Sequence, residues 1–110
     1  MRKQPEEILL EQARHDLKQK SGDGILRYEV WGYVEGGKTI VTRYNMAYIN
    51  HTVCNKDNGR VLGYDNGHGY HHRRYMGSVQ ACDYVSHDDT VERFQAEWVE
   101  IVNKLKGKLP

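Results

Sequence analysis

The fold is decided by residues 25–49, which read ILRYEVWGYVEGGKTIVTRYNMAYI. Residues 25–34 and 39–49 are rich in Val, Ile, Tyr and Trp, the side chains that β-strands favour. A Glu-Gly-Gly-Lys run at residues 35–38 separates them, and paired glycines accept the positive φ angles of a tight turn. This stretch therefore predicts a long antiparallel β-hairpin.

The register of this hairpin follows from the length of its turn. A two-residue turn predicts three cross-strand pairs: Tyr33 with Ile40, Trp31 with Thr42, and Glu29 with Tyr44. Neither face of the hairpin is then cleanly polar. A slip of one residue would exchange the two faces, so the pattern does not predict which face meets the rest of the domain.

The segment before the hairpin predicts a helix. Leu10, Ala13 and Leu17 recur at helical spacing, and a Ser-Gly-Asp-Gly run at residues 21–24 would end the helix. We therefore expect an N-terminal helix and loop in residues 1–24.

The segment after the hairpin predicts shorter strands. Residues 55–59 have the composition of a turn, and residues 60–64 and 79–85 have that of strands. Residues 66–77 contain glycine, histidine and arginine, which is typical of a loop or an irregular hairpin.

The last part of the chain predicts a helix in residues 86–110. Its apolar side chains follow the i, i+3, i+4, i+7 rule: Val91, Phe94, Trp98, Ile101, Val102 and Leu105. Asp89 and Glu92 are spaced as in a capping box. We interpret Phe94 and Trp98 as core residues.

Together these elements predict one domain, residues 1–110, of the α+β class. We expect an antiparallel sheet of about three to five strands in residues 25–85, flanked by the N-terminal and the C-terminal helix. The sequence shows no alternation of strands and helices of the kind that would indicate a parallel sheet.

Composition excludes several classes of protein. Sixteen Lys and Arg against fifteen Asp and Glu give a net charge of +1, which provides no global attraction to nucleic acid or membrane. No apolar run approaches a membrane span or a signal peptide, so a soluble cytoplasmic protein is expected. Cys54 and Cys82 are too few for a disulfide framework, and reduced thiols are favoured over a single disulfide.

Residues 64–75, YDNGHGYHHRRY, are chemically distinct from the rest of the chain. Three of the six histidines fall within residues 68–72, next to Arg73 and Arg74. Because no carboxylate lies between residues 67 and 77, the segment is a local positive patch in a charge-balanced chain. Loops on a rigid sheet often carry function, so we expect the functional site here.

Three interpretations of this loop are open. In the first, it binds and cleaves a phosphodiester, with imidazoles exchanging protons and an arginine stabilising the phosphoryl charge. In the second, His68 with either His71 or His72 binds a divalent metal, with or without Asp65 as a further ligand. Neighbouring strand residues point to opposite faces, so His71 and His72 do not both ligate. In the third, the loop is a solvated polar hairpin that covers the sheet edge.

A family resemblance favours the first interpretation. Residues 61–68, VLGYDNGH, followed by His-His-Arg at 71–73, resemble the Tyr-Asp-Asn and histidine-rich motif of the TumE-like proteins. These are small proteins assigned to the toxin side of bacterial toxin–antitoxin modules. The similarity covers roughly residues 25–105, and its specific part is residues 64–73. The N-terminal segment and the long connection at 50–59 depart from the family pattern.

The resemblance implies a toxin-like protein that acts as a metal-independent endoribonuclease or as an RNA-binding inhibitor, without a cofactor. For that role we assign His68, His71 and His72 to acid–base chemistry, Arg73 and Arg74 to phosphate, Tyr64 and Tyr70 to base stacking, and Asp65 to orienting a histidine. The expected partners are an antitoxin protein, RNA and a second copy of the chain, with no membrane. The alternative is a non-catalytic protein-interaction or homodimerisation module.

Overall fold

The computed structural model describes residues 5–107, so residues 1–4 and 108–110 of the predicted helices lie outside it. Six strands form one antiparallel sheet in chain order, and an α-helix follows. The strands are β1 (Ile8–Asp16), β2 (Ile25–Glu35), β3 (Lys38–Ile49), β4 (Arg60–Asp65), β5 (His72–Tyr75) and β6 (Ser78–Ala81), and the helix is α1 (His87–Gly107). The α+β class is confirmed, but the described residues contain six strands instead of three to five.

The predicted N-terminal helix is wrong, because the segment forms β1. Its residues pair antiparallel with β2, from Ile8 opposite Gly32 to Asp16 opposite Ile25. Helix propensity amounts to at most about 0.7 kcal/mol per ordinary residue, whereas pairing satisfies the backbone groups along an edge of β2. Charged side chains such as Glu11 suit the edge strand that results.

The hairpin of β2 and β3 has the predicted two-residue turn at Gly36 and Gly37, but its register changes along its length. Tyr33 pairs with Ile40 as predicted. A bulge between Trp31 and Gly32 then shifts two other pairs, so that Trp31 faces Arg43 and Glu29 faces Asn45. The predictions that Trp31 faces Thr42 and Glu29 faces Tyr44 are therefore wrong, because a bulge adds a residue to one strand only.

In the register that the bulge produces, β2 and β3 have one apolar face and one polar face. One face carries buried apolar side chains: Leu26, Val30, Tyr44, Met46 and Tyr48. The other carries Arg27, Glu29, Arg43 and Asn45, because alternate residues of a strand point to opposite faces. We call the first the helix face, since α1 lies on that side, and the second the open face.

The helix α1 packs its aromatic side chains on the helix face. The ring of Phe94, fully buried, makes edge contacts with the rings of Tyr28 and Tyr64, at centroid distances of 5.5 and 6.5 Å. Trp98 is half-buried against Tyr48. Both residues therefore belong to the core, as the sequence predicts.

The first turn of α1 differs from the prediction in its capping residue. The helix begins at His87, and the Oγ atom of Ser86 accepts a hydrogen bond from the backbone N–H of Asp89 at 3.0 Å. Ser86 therefore caps the helix, and Asp89 lies inside its first turn. Within residues 5–107, no helix is long and apolar enough to cross a membrane.

Candidate functional site

The Tyr-Asp-Asn run at the end of β4 is fixed on three sides. Tyr64 donates a hydrogen bond to Glu97 of α1 on the helix face. Asp65 points to the open face and is 6% exposed. Asn66 clamps β3, because its side chain accepts from the backbone N–H of Tyr44 and donates to the carbonyl of Thr42. Each side chain of the run thus holds a different neighbour of β4.

Asp65 is the centre of a network of charged and titratable side chains. Its Oδ1 atom lies 2.5 Å from Nε2 of the fully buried His72, and its Oδ2 atom accepts from Nε of Arg74 at 2.7 Å. Arg74 also donates to Asp57 at 3.0 Å, and Asp57 accepts from Arg60 at the same distance. The network therefore connects β4 and β5 to the loop before β4.

Arg73 points to the opposite face and pairs with the helix. Its Nε atom donates to Oε2 of Glu97 at 3.0 Å, and Tyr64 donates to the other carboxylate oxygen. Burial first, and the hydrogen bond to Glu97 second, raise the pKa of Tyr64 to about 12. Glu97 thus binds β4 and β5 to α1 through one carboxylate.

His71 lies in an aromatic cluster on the helix face. Its ring stacks on Tyr84 at a centroid distance of 3.8 Å, and its Nδ1 atom lies 2.9 Å from the hydroxyl of Tyr44. Burial is the main cause that raises the pKa of Tyr44 above its ordinary value, so the phenol keeps its proton and can donate it to Nδ1. His71 is therefore held in place by two tyrosines.

His68 and Tyr70 are the exposed members of the predicted site. His68 lies in the turn after β4 with a φ of 65°, and Tyr70 covers the ring of His72 at a centroid distance of 4.6 Å. The three histidines thus have three different surroundings: His68 is in solvent, His71 is in the tyrosine cluster, and His72 is buried beside Asp65. Among residues 5–107, no three or more His, Cys, Asp and Glu side chains form a metal-ligand group.

In the fold, carboxylates from other parts of the chain pair with the two arginines of the predicted positive patch. The loop itself has no carboxylate between residues 67 and 77, but other elements supply three. Asp57 and Asp65 pair with Arg74, and Glu97 pairs with Arg73. The two arginines assigned to phosphate are thereby engaged within the protein.

The open face of the sheet contains a broad groove of about 790 Å³. It lies over β1, β2 and β3 and is closed on one side by the loop before β4. Polar side chains from these elements line it: Arg14, Arg27, Arg60, His51, Asn45 and Asn58. Ala47 and Ile49 lie beneath them and leave the groove wide.

Charge in this groove is unevenly distributed. Among the described residues that line it, three are arginines and one, Glu29, carries a carboxylate. Arg14 and Arg27 are directly opposite each other on neighbouring strands. Arg27 is exposed and has no ion-pair partner within residues 5–107, while Arg14 has only an exposed pair with Asp16 at 3.3 Å. Two like charges in this arrangement destabilise the sheet unless an anion lies between them.

A smaller cavity of about 150 Å³ adjoins the groove near the end of β4. Glu29 and Asn45 line both spaces. Trp31, with the guanidinium of Arg43 stacked 4.6 Å from its ring centroid, forms another wall. The cavity is thus polar on one side and has a flat stacked pair on the other.

The groove residues were not found from the sequence, although a signal exists. Arg27 and Glu29 alternate with Leu26, Tyr28 and Val30, which is a half-buried pattern. The alternation along β2 ends at Trp31, and the extra residue of the bulge, Thr42 in β3, shifts the pairing there, so the register predicted without a bulge gives the hairpin no polar face.

A search of protein families, curated proteins and solved structures finds no match to this chain. The resemblance to the TumE-like proteins therefore stays a prediction that rests on the motif alone.

Proposed function

We propose that this protein is a toxin-like, RNA-directed protein that holds the phosphate backbone of RNA in the groove on its open face. The observation that carries the proposal is the cross-strand pair of Arg14 and Arg27. Arg27 keeps its full complement of donors for a ligand, because no carboxylate of the described chain pairs with it. A guanidinium presents a planar fork of donors that matches phosphate oxygens.

The shape of the groove supports an extended strand as the ligand. The sheet provides a long open surface with small side chains at its base, such as Ala47. Asn45 and Asn58 add donors and acceptors for sugars and bases, and single-stranded RNA is recognised through such exposed groups. A groove that carries arginine and amide groups therefore favours a polyanionic ligand over an apolar one.

The motif at residues 64–74 has a supporting role in this proposal. Asp65 holds Arg74, Arg74 holds Asp57, and Asp57 holds Arg60 at the groove wall. The buried network thus determines where the guanidinium of Arg60 lies. In this proposal the motif sets the shape of the binding site, and the groove makes the contact with RNA.

The test measures the affinity of a labelled oligouridine by fluorescence anisotropy over a range of salt concentrations. Affinity should fall with salt, and Arg27→Gln should reduce the slope of log affinity against log salt by roughly 0.7, the single-strand value for one contact. Lys106→Gln is the control, because Lys106 is exposed on α1, on the helix side of the sheet. The proposal is wrong if Arg27→Gln keeps both the affinity and the slope of wild type.

Induced expression in a bacterial host separates inhibition by binding from RNA cleavage. Wild type should slow growth, and the double variant Arg14→Gln/Arg27→Gln should relieve it. Cellular RNA that stays intact during growth arrest supports binding, whereas new fragments that depend on His68 or His71 support the endoribonuclease. Unimpaired growth of the wild-type culture would argue against a toxin-like role, and equal arrest of both cultures would argue against the groove as its site.

A second candidate function is a protein-interaction or homodimerisation module, which the far end of the β2–β3 hairpin favours. The molecule measures 63 Å in its longest dimension against 25 and 22 Å. Four apolar side chains are exposed near this end: Ile8, Leu9, Val34 and Ile40. Sedimentation of wild type and of Val34→Ser/Ile40→Ser tests this function, which requires that wild type assembles and the variant does not.

A further inference from the structure

The small cavity beside the groove differs from the groove in the charge of its lining. It is lined by two carboxylates, Glu29 and Asp65, although it adjoins a groove that carries three arginines. A carboxylate next to a phosphate site repels the phosphate. The cavity is therefore suited to a part of the ligand that presents hydrogen-bond donors.

We infer that this cavity binds a guanine base of the RNA, with Glu29 and Asn45 as the residues that select it. The inference rests on the RNA-binding role proposed above and names the base that the site prefers. Glu29 and Asn45 are direct cross-strand partners on the open face, so their side chains reach the same space.

The free hydrogen-bonding capacity of Glu29 supports this choice. Its Oε1 atom accepts a hydrogen bond from the indole Nε1 of Trp31 at 2.9 Å, which fixes the direction of the carboxylate. An ionised carboxylate offers about four lone-pair sites, so acceptor positions remain for a ligand. Trp31 thus orients the Glu29 carboxylate and leaves acceptor positions on it free.

The Watson–Crick edges of the four bases decide between the possible occupants. Guanine presents two neighbouring donors, N1–H and the N2 amino group, next to the acceptor O6. Adenine and cytosine present an acceptor ring nitrogen at the central position, and uracil flanks its one donor with two carbonyls. A carboxylate beside an amide donor therefore matches guanine and repels the other three.

The flat wall of the cavity provides a place for the base to stack. Arg43 lies over Trp31, and its guanidinium is half-exposed with an ion pair to Glu7 at 3.3 Å. Bases stack on guanidinium planes as well as on aromatic rings. The cavity thus combines a stacking plane with an edge that reads hydrogen bonds.

The test compares oligouridines that differ in one central nucleotide. Wild type should bind the oligomer with guanosine roughly tenfold more tightly than those with adenosine, cytidine or uridine at that position. Glu29→Gln should abolish this preference, while binding of oligouridine stays salt-dependent and does not weaken, because Glu29 also lines the groove and its replacement removes a negative charge there. Glu92→Gln, which removes a carboxylate from the exposed surface of α1, should keep the preference. Thermal melting of each variant confirms that it folds.

Each other outcome decides against one proposal or both. Salt-dependent binding without a guanosine preference, or a preference that survives Glu29→Gln, overturns the guanine site and leaves RNA binding intact. If no oligomer binds, calorimetry with guanosine and uridine monophosphate follows. Selective, Glu29-dependent binding of the guanosine compound would then support the cavity and overturn the RNA groove. Binding of neither compound overturns both.

Discussion

Asp65 and Arg74 are joined by a hydrogen bond of 2.7 Å between Oδ2 and Nε, across the neighbouring strands β4 and β5. Both side chains lie on the open face, and the other oxygen of Asp65 faces His72. The contact explains why an acidic and a basic residue nine positions apart belong to one motif. Through this contact, the segment that the sequence predicts to be a phosphate-binding loop supports the wall of the neighbouring groove instead.

Loss of Asp65 should therefore destabilise the fold strongly. Asp65→Ala leaves Arg74 without its nearest carboxylate and leaves Nε2 of buried His72 without the Asp65 oxygen that it faces. Breaking a buried pair in this way costs about 3–5 kcal/mol of the free energy of unfolding. Urea denaturation measures the loss. Asp16→Ala is the control: it removes an exposed pair with Arg14, and its cost should stay below about 1 kcal/mol.

The histidines of the loop should differ in their contribution to stability. His72 is 1% exposed and hydrogen-bonded through both ring nitrogens, so His72→Ala should cost about 2–4 kcal/mol. His68→Asn should change stability by less than about 0.5 kcal/mol, because His68 is exposed and Asn tolerates its left-handed backbone. Similar melting temperatures for these two variants would contradict the burial of His72.

The stability of the fold should fall at high pH through Tyr64. Burial and then Glu97 raise its pKa from 10.0 to about 12, so the folded protein keeps a proton that the unfolded chain releases. The stability from Tyr64 is therefore complete below pH 10 and is lost as pH rises to about 12. Tyr64→Phe should show a shallower decline over this range. Tyr75→Phe, at an exposed tyrosine, is the control.

The sequence contains enough information for the central hairpin and the last helix, but not for the first strand. β-branched and aromatic side chains determine β2 and β3 locally, and the apolar spacing around Phe94 determines α1. The segment that forms β1 has residues with helical preference, and only the long unpaired edge of β2 makes it extended. That edge is a property of the fold and is not visible in a local window.

The site was predictable only in part, for a related reason. The motif at residues 64–74 is visible in the sequence, yet its partners Asp57 and Glu97 come from distant elements. The groove depends on the bulge at Thr42 of β3, which lies opposite the step from Trp31 to Gly32. At Gly32 a Cβ atom would lie 1.9 Å from the carbonyl oxygen of Ile40. One inserted residue therefore determines which side chains share a face.

The central claim is that RNA lies in the groove on the open face, and the side-chain amides of the protein report on it directly. Asn45 and Asn58 line the groove, whereas Gln95 and Asn103 are exposed on α1. We would follow the NH₂ resonances of these four residues by nuclear magnetic resonance while oligouridine is added to the labelled protein. The account predicts that the signals of Asn45 and Asn58 shift and saturate with the binding curve, while those of Gln95 and Asn103 stay in place. Saturating binding that shifts the two helix amides and leaves the two groove amides unchanged would contradict it.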